Sequence, residues 1–313
     1  MSVIEVQELV KEFPLPGKGS GKLTAVDGIS FQVAQGEIFG FLGPNGAGKT
    51  TTLEIIEGLQ VPTRGSAKVL GFDSHHEVEK VKQRIGIQLQ SSSFYDYLSL
   101  EEILKLFGTF YPKQKNAEEL LKIVDLYEKR KALVKELSGG QQQRFSIAVS
   151  LVNDPEIVFL DEPTTGLDPQ ARRHMWQFIR KIKEQGKTVV LTTHYMEEAE
   201  ELCDRIGVID HGKIVALDTP KALIDQLDAS AHLAFKTPQA VEVSEFTNME
   251  GVIKAEMNGE PNSYRLQITH ASAVLPPLIR WAEQHQMHLE DIEVTRATLE
   301  DVFLHLTGSK LRE

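Results

Sequence analysis

The N-terminal segment alternates apolar and polar side chains. Within residues 1–36 this alternation is clearest at 4–6 and 29–33, and a stretch rich in Gly and Pro, 14–21, lies between the two runs. A period of two is typical of a half-buried strand, so this segment is predicted to be β-rich with a loop insertion. The run 37–42 is predicted to be a short buried strand that leads into a Gly-rich loop and then a helical pattern.

From about residue 98 to residue 152 the pattern becomes helical. Ser99 is followed three residues later by Glu102, the spacing of a helix capping box. The next apolar positions fall on one helical face: Leu100, Ile103, Leu104 and Phe107. We therefore predict an inserted helical subdomain at about residues 91–152.

The next region alternates strands with a helix. Runs at 157–160 and 188–192 are apolar and β-branched, and a helix is predicted between them from about 169 to 185. This order predicts βαβ units on a parallel sheet. Residues 205–217, with a turn sequence at 210–212, are predicted to form a hairpin.

The C-terminal segment after the Thr219-Pro220 break has a pattern of its own. It is predicted to contain strands at 232–235, 252–257 and 264–268, a helix at 271–286, a strand at 289–294, and a last helix capped by Thr298 that ends near 306. We predict two domains, the first at 1–220 and the second, a small accessory or regulatory α+β domain, at 225–313.

Composition narrows the classes of protein. The chain has 313 residues, a formal net charge of −11 and an apolar fraction of 41%, which argues against disorder, against a fibrous protein and against sequence-independent nucleic-acid binding. The lone Cys203 excludes a disulfide framework and is interpreted as a small packed residue. With no apolar leader and no run of 18 apolar residues, the chain is expected to be cytosolic and to reach a membrane only through a partner.

The segment GPNGAGKT fits the phosphate-binding pattern GxxxxGK[ST], with a predicted strand before it and a helix after it. Loop glycines let backbone amides surround a phosphate, and Lys49 adds a point charge for the β- and γ-phosphates of ATP. Thr50 offers a hydroxyl to Mg²⁺. The predicted cofactor-binding residues here are Gly43, Pro44, Asn45, Gly46, Ala47, Gly48, Lys49, Thr50 and Thr51.

Two carboxylates follow the apolar run at 157–160. Strand ends next to a phosphate-binding loop are where open α/β sheets bind ligands. Asp161 is therefore predicted to hold the Mg²⁺ shell, and Glu162 is predicted to polarise the water that attacks the γ-phosphate. Without the upstream loop, two acids after a strand would indicate only a solvated turn.

A second anion cradle is predicted at LSGGQQQR, residues 137–144. Its predicted binding residues stand at the start of a helix expected from about residue 141: Ser138, Gly139, Gly140 and Gln141. One chain with one phosphate-binding loop does not need a second cradle. The two are reconciled if the cradle closes over the nucleotide of another subunit.

Over about residues 1–220 these motifs resemble, in type and order, the nucleotide-binding subunit of an ATP-binding cassette (ABC) transporter. The resemblance implies a P-loop NTPase core of α/β class with an antiparallel β subdomain and an inserted helical subdomain, plus the small C-terminal α+β domain. It also implies that ATP and Mg²⁺ are the cofactors. In the resemblance Lys49 and Thr50 match the Walker A residues, and Asp161 and Glu162 match the Walker B aspartate and the catalytic glutamate.

Further residues match the family one by one. Gln90 in RIGIQLQ corresponds to the glutamine that contacts the metal and the attacking water, with Gln88 as the alternative. His194 in LTTHYMEEAE matches the switch histidine that hydrogen-bonds the γ-phosphate, and Asp168 in TTGLDP matches the aspartate that contacts the opposing subunit. Phe13 stands where the family stacks an aromatic ring on adenine, although the loop insertion follows it and an ordinary packed aromatic is the alternative.

The ending ATLEDVFLHLTG is similar to that of the bacterial drug-resistance exporter branch, in which the membrane-spanning permease is a separate chain. The resemblance implies a homodimer, or a pair with a related cassette subunit, on the cytoplasmic side of the cell membrane as a peripheral protein. A soluble ABC-type ATPase that serves no transporter is the alternative. A P-loop kinase or GTPase would lack LSGGQ and the His194 match, and a module without turnover would not need both Glu162 and His194. His75 and His76 are interpreted as a solvated loop rather than a metal site.

Overall fold

The computed structural model describes residues 1–15, 21–89, 94–227 and 231–307 of the chain. The chain divides into two compact units, the first covering Met1–Pro220 and the second beginning at Lys221. Within the described ranges, no helix has both the length and the apolar composition needed to cross a bilayer.

The first unit contains ten strands among its described residues, and helices lie between most of them. In chain order the elements are β1 (Ser2–Pro14), β2 (Lys22–Ala34), β3 (Ile38–Leu42), α1 (Lys49–Ile56), β4 (Arg64–Val69), β5 (Phe72–Asp73), α2 (Val78–Lys82), β6 (Ile85–Gln88), α3 (Leu100–Gly108), α4 (Ala117–Ile123), α5 (Gly139–Ser150), β7 (Ile157–Asp161), α6 (Pro169–Glu184), β8 (Thr188–Thr193), α7 (Met196–Leu202), β9 (Arg205–Asp210) and β10 (Lys213–Asp218).

The central sheet of this unit has six strands in the order β10-β9-β3-β8-β7-β6, and every pairing from β9 to β6 is parallel. All residues of β3, β7 and β8 are buried. Strands that are covered on both faces need continuous apolar runs, which explains why the sequence lacks alternation there. The parallel βαβ units predicted for this region are confirmed, and so is the hairpin, which is formed by β9 and β10.

A second sheet is antiparallel along the strand order β2-β1-β4-β5. Its alternating apolar positions pack with the central sheet in one core, in which Phe31 stacks on Phe39 with ring centroids 5.5 Å apart. The predicted β-rich N-terminal segment is confirmed by β1 and β2. Of the predicted loop insertion between these strands, residues 16–20 lie outside the described residues.

The predicted helical subdomain contains α3, α4 and α5. The capping box is confirmed, because the Ser99 amide donates to Glu102 Oε2 at 2.9 Å and the Glu102 amide donates to Ser99 Oγ at 3.4 Å. The helix expected from about residue 141 begins two residues earlier, at Gly139, because Ser138 acts as its N-cap. Two glycines at the start did not suggest a helix from sequence, since glycine is a poor helix former.

The second unit has a βαββαβ order. After α8 (Pro220–Asp225), which spans the boundary, its elements are β11 (Ala231–Lys236), α9 (Val243–Thr247), β12 (Val252–Met257), β13 (Ser263–Ile268), α10 (Ala271–Gln284), β14 (Glu290–Arg296) and α11 (Leu299–Thr307). Its sheet is antiparallel in the order β12-β13-β11-β14, which is the ferredoxin-like arrangement. Its core contains a cluster of aromatic rings: Phe235, Phe246, Tyr264 and Trp281.

Candidate active site

The Gly-rich P-loop, residues 43–50, leads from β3 into α1 and needs glycine at two positions. At Gly43 a Cβ atom would lie 2.2 Å from the carbonyl oxygen of Ile209. Gly48 has φ 105°, and a Cβ atom there would lie 2.2 Å from the carbonyl oxygen of Ala25. Gly46 also has a positive φ, 81°, but faces open space. Because α1 begins directly after Gly48, the loop leads to a helix N-terminus, which attracts anions. The same segment carries the other predicted loop residues, Pro44, Asn45, Ala47 and Thr51.

Lys49 is buried and lies against its own loop. Its Nζ donates to the carbonyl oxygens of Gly43, at 2.7 Å, and Pro44, at 3.1 Å, and lies 3.8 Å from Glu162 Oε1. Burial lowers the pKa of Lys49, while the charges of Glu162 and Asp161 act in the opposite direction. A compact ammonium group in this position suits the oxygens of a phosphate.

Thr50 and Asp161 come together across 111 positions of sequence. The Thr50 hydroxyl donates to Asp161 Oδ1 and Oδ2, both at 3.3 Å, and Thr192 Oγ1 donates to Oδ1 at 2.5 Å. The Glu162 amide in turn donates to Thr192 Oγ1 at 3.0 Å. Thr192 therefore holds the end of β7 in place. Sequence reasoning missed Thr192 because threonine is an ordinary residue in a β-strand.

Glu162 occupies the centre of the site. Its φ of 48° is in the left-handed region, which is uncommon for a residue with a side chain and is found at functional sites. Its Oε2 accepts a hydrogen bond from Thr165 Oγ1 at 3.1 Å, and its Oε1 lies 3.3 Å from His194 Nδ1. The His194 contact is within ion-pair distance, but its geometry is not that of a hydrogen bond. The structure therefore brings Glu162, Lys49 and His194 together.

A further carboxyl group, that of Glu57, lies near enough to interact with Asp161 and was not predicted from sequence. Glu57 follows α1 as its C-terminal cap and is only 2% exposed. Burial, followed by the negative charges of Asp161 and Glu54, raises the pKa of Glu57 to about 8. The only sequence signal was a charged residue directly after the apolar pair Ile55 and Ile56.

The predicted second cradle forms the exposed start of α5. Ser138 and Gln141 make a reciprocal capping box, and Lys129 Nζ also donates to Gln141 Oε1 at 3.0 Å. Gly139 is exposed, with no atom within 4 Å of a Cβ built on it. Within the part of the chain that the structure describes, no hydrogen bond or ion pair joins this motif to the P-loop. The protomer thus does not bring the two cradles into contact by polar bonds.

Asp168 is exposed and caps α6. Its Oδ1 accepts a hydrogen bond from the Ala171 amide at 2.9 Å, and Pro169 occupies the first turn of the helix. This arrangement is a standard helix start, because the missing N–H of proline costs nothing there. The predicted contact of Asp168 with an opposing subunit stays a prediction.

Phe13 lies in β1, paired with Leu23 of β2, and is half-buried. Lys11 Nζ lies 4.9 Å from the centroid of its ring. Phe13 is therefore not part of the buried core, and its stacking on adenine stays a prediction.

Of the two glutamines considered at the end of β6, Gln90 lies outside the described residues. Gln88 is buried, and its Nε2 donates to the Leu89 carbonyl at 2.7 Å. Gln88 Oε1 is buried without a hydrogen-bond partner among the residues described.

Comparison with known proteins gives one consistent family. Residues 26–165 match the family described as ABC transporter. The linearmycin resistance ATP-binding protein LnrL of Bacillus subtilis is 37% identical over 95% of this chain and 97% of that protein. A Nod factor export ATP-binding protein I of Paraburkholderia xenovorans is 38% identical over 98% of this chain and 99% of that protein.

A solved structure shows the same likeness. The ATP-binding cassette MJ0796, in a dimeric post-hydrolysis state bound to ADP and Pi, has a TM-score of 0.62 and is 28% identical. The match covers 69% of this chain and 98% of that one.

Proposed function

The chain belongs to the ABC transporter family and is an ATPase, and we propose that it powers export of a substrate through a separate membrane-spanning permease. One observation carries this proposal. The similarity to a resistance protein and an export protein extends over 95% and 98% of the chain, so it includes the second unit as well as the first. The protein then acts as a peripheral subunit on the cytoplasmic side of the cell membrane.

Hydrolysis is assigned to the cluster around Glu162. Glu162 accepts a proton from the water that attacks the γ-phosphate of ATP, Lys49 contributes positive charge to the phosphates, and His194 donates a hydrogen bond to the γ-phosphate. The supporting geometry is that Glu162 Oε1 lies 3.8 Å from Lys49 Nζ and 3.3 Å from His194 Nδ1. Three groups with these roles must surround one phosphate, and their side chains are already neighbours.

Mg²⁺ is the proposed metal, with Thr50, Asp161 and Gln90 as its protein ligands. The convergence of the Thr50 hydroxyl on both carboxylate oxygens of Asp161, at 3.3 Å, supports the first two. A hydroxyl and a carboxylate suit this ion, which usually takes one or two carboxylates and completes its shell with water and phosphate oxygens. When bound, the ion neutralises charge on the phosphate oxygens.

Two copies of the chain, or one copy and a related cassette subunit, form the proposed working unit. Each nucleotide lies between the P-loop of one subunit and the α5 N-terminus of the other. This arrangement gives the exposed Ser138 and Gly139 a phosphate to bind, and the exposed Asp168 a partner. ATP binding closes the pair, and hydrolysis opens it.

The proposed contact with the permease is the segment after Gln90 and the helical subdomain. Three aromatic side chains there are exposed, namely Tyr95 by 61%, Tyr97 by 89% and Phe110 by 69%. Aromatic residues are enriched in protein interfaces, which supports the assignment. For the second unit we propose an accessory or regulatory role in the dimer or in its coupling to transport.

The test compares ATP turnover and association state of the intact chain with those of Glu162→Gln. We expect the variant to bind ATP, to lose hydrolysis by about 100-fold or more, and to accumulate as a dimer. The control is Glu156→Gln, which removes an exposed carboxylate at the other end of β7 and should leave both properties unchanged. Hydrolysis by Glu162→Gln at the normal rate, as a monomer, would refute the sandwich mechanism.

Transport is tested separately by co-expression with a permease. Recovery of the intact chain with membranes only when the permease is present supports the transporter role. If Tyr97→Asp does not reduce that recovery, the proposed contact segment is wrong. Normal ATPase activity without any membrane association would favour the soluble ATPase.

A further inference from the structure

A buried polar cluster connects α6 with α7 and with the loop that carries His194. Glu198 of α7 is completely buried, and Trp176 of α6 donates from Nε1 to its Oε1 at 3.1 Å. The Thr193 and Thr164 hydroxyls also lie close enough to the Glu198 carboxyl group to interact with it, although Glu198 Oε2 and Thr164 Oγ1 make no hydrogen bond of good geometry among the described residues. Burial of a carboxyl group is costly, and these polar neighbours offset part of that cost only while they hold Glu198 in this position.

Arg172 extends this cluster to the loop that carries His194. Its guanidinium lies 4.0 Å from the centroid of the Tyr195 ring, and the Tyr195 ring lies 4.2 Å from the ring of His194. Burial raises the pKa of Glu198, while the hydrogen-bonding side chains of Thr193, Thr164 and Trp176 and, to a smaller extent, the charge of Arg172 act in the opposite direction. Arg172 therefore lies near enough to interact electrostatically with Glu198. The chain of contacts therefore runs from α6 through Tyr195 to His194.

The spacing of residues on α6 explains why one helix makes all these contacts. Asp168 caps the helix, and Arg172 and Trp176 follow at intervals of four residues, which places them on one helical face. A movement of α6 that begins at Asp168 must carry Arg172 and Trp176 with it. Tyr195 and Glu198 would follow, because each is held by one of those two side chains.

We propose that Tyr195 and Glu198 are positioning residues, which hold His194 against Glu162 through Arg172 and Trp176 and so tie the switch histidine to the helix that begins at Asp168. This inference rests on the proposed roles of His194 and Asp168. It adds a physical route between them within one subunit, in which contact at the exposed Asp168 alters the geometry at the γ-phosphate. Neither Tyr195 nor Glu198 touches the reacting atoms.

The first experiment measures steady-state ATP hydrolysis by the full chain with Glu198→Gln and with Tyr195→Leu. The glutamine keeps an acceptor for Trp176 but replaces the carboxyl group near Arg172 with an amide, and the leucine removes the aromatic ring that contacts Arg172 and His194. We expect kcat to fall by about tenfold in each, since small misplacements of a catalytic group cost one to two orders of magnitude. KM for ATP should stay within about twofold, and Tyr195→Phe, which keeps the ring, should restore kcat.

The matched control is Glu200→Gln, which neutralises an exposed carboxylate on the same helix. Its kcat should equal that of the unchanged chain. The melting temperature of every variant is measured in parallel. If Glu198→Gln proves unstable, Tyr195→Leu tests the same route independently.

A mutant cycle with His194→Ala separates positioning from mere packing. If Tyr195 acts through His194, then Tyr195→Leu lowers kcat in the unchanged chain and has no further effect beside His194→Ala. Equal losses in both backgrounds would overturn the inference, because they would show that Tyr195 acts on something other than His194.

The same cycle separates this inference from the proposed function. If His194→Ala alone retains full activity, the proposed role of His194 is wrong, and the positioning role falls with it. If His194→Ala is impaired while Tyr195→Leu and Glu198→Gln are not, only the positioning role is refuted.

Discussion

Glu57 should make the stability of the first unit depend on pH in the direction opposite to that of an ordinary carboxylate. Its pKa is raised from 4.5 to about 8, chiefly by burial and then by the charges of Asp161 and Glu54. At neutral pH the folded chain therefore holds a proton on Glu57 that the unfolded chain releases. The stability linked to this group is complete below pH 4.5 and is lost as pH rises toward 8.

The size of the effect follows from the two pKa values. They differ by about 3.5, and each unit corresponds to about 1.4 kcal/mol, so the loss across the whole range is about 5 kcal/mol. Between pH 5 and pH 8 the loss is about 3 to 4 kcal/mol. Glu57→Gln has nearly the same shape and never ionises, so it should remove this dependence. The free energy of unfolding of Glu57→Gln, relative to that of the unchanged chain, should therefore rise by about 3 to 4 kcal/mol between pH 5 and pH 8.

The assay is urea unfolding without nucleotide or Mg²⁺ at several pH values from 5 to 8. A cation beside Asp161 would change the field at Glu57, so metal is left out. Both chains carry Trp281→Phe, so that Trp176 fluorescence reports the first unit alone. Glu79→Gln, which alters an exposed carboxylate, is the control. Parallel stability curves for Glu57→Gln and the unchanged chain would show that Glu57 is ionised in the folded state, and the reasoning from burial would be wrong.

Two further predictions concern the glycines of the P-loop and the N-terminal cap of α3. Gly48→Ala should abolish ATP binding in an equilibrium nucleotide-binding assay, because the φ of 105° is strained for alanine and the new Cβ would lie 2.2 Å from the Ala25 carbonyl oxygen. Gly46→Ala, whose Cβ meets open space, should bind ATP measurably but more weakly than the unchanged chain. Equal binding by both variants would contradict the steric argument. Ser99→Ala should lower the unfolding free energy by about 1 kcal/mol, because the capping box with Glu102 is lost, and an unchanged urea midpoint would show that the cap contributes nothing.

Elements with strong local patterns were predictable from sequence. The buried strands β7 and β8 appear as continuous apolar runs, and α6 lies within one residue of its predicted bounds because Asp168 and Pro169 mark its start. The five-residue helix α9 was missed, since so short a segment has too few turns to show a helical period. Without it, the ferredoxin-like order of the second unit could not be predicted.

Features of the site that depend on distant packing were not predictable. Glu57 acquires its raised pKa partly from Asp161, which is far away in sequence. Glu198 belongs to a run of acidic residues that indicates a solvated helix, and only the fold shows that this one side chain faces Trp176 while Glu197 and Glu200 are exposed. Local patterns predict helices and strands, whereas the burial and the electrostatic surroundings of one side chain depend on residues that are distant in sequence.

The register of the central sheet accounts for the arrangement of the site. Strands β3, β8 and β7 are adjacent and parallel, so their carboxyl ends meet at one edge, where the P-loop, His194 and the two carboxylates begin. Leu42 pairs with Thr193, and Thr192 pairs with Asp161. A shift of one residue in either pairing would move the Thr192 hydroxyl to the opposite face and release Asp161 and Glu162 together. The apolar packing that sets the register therefore also positions the groups of the proposed active site.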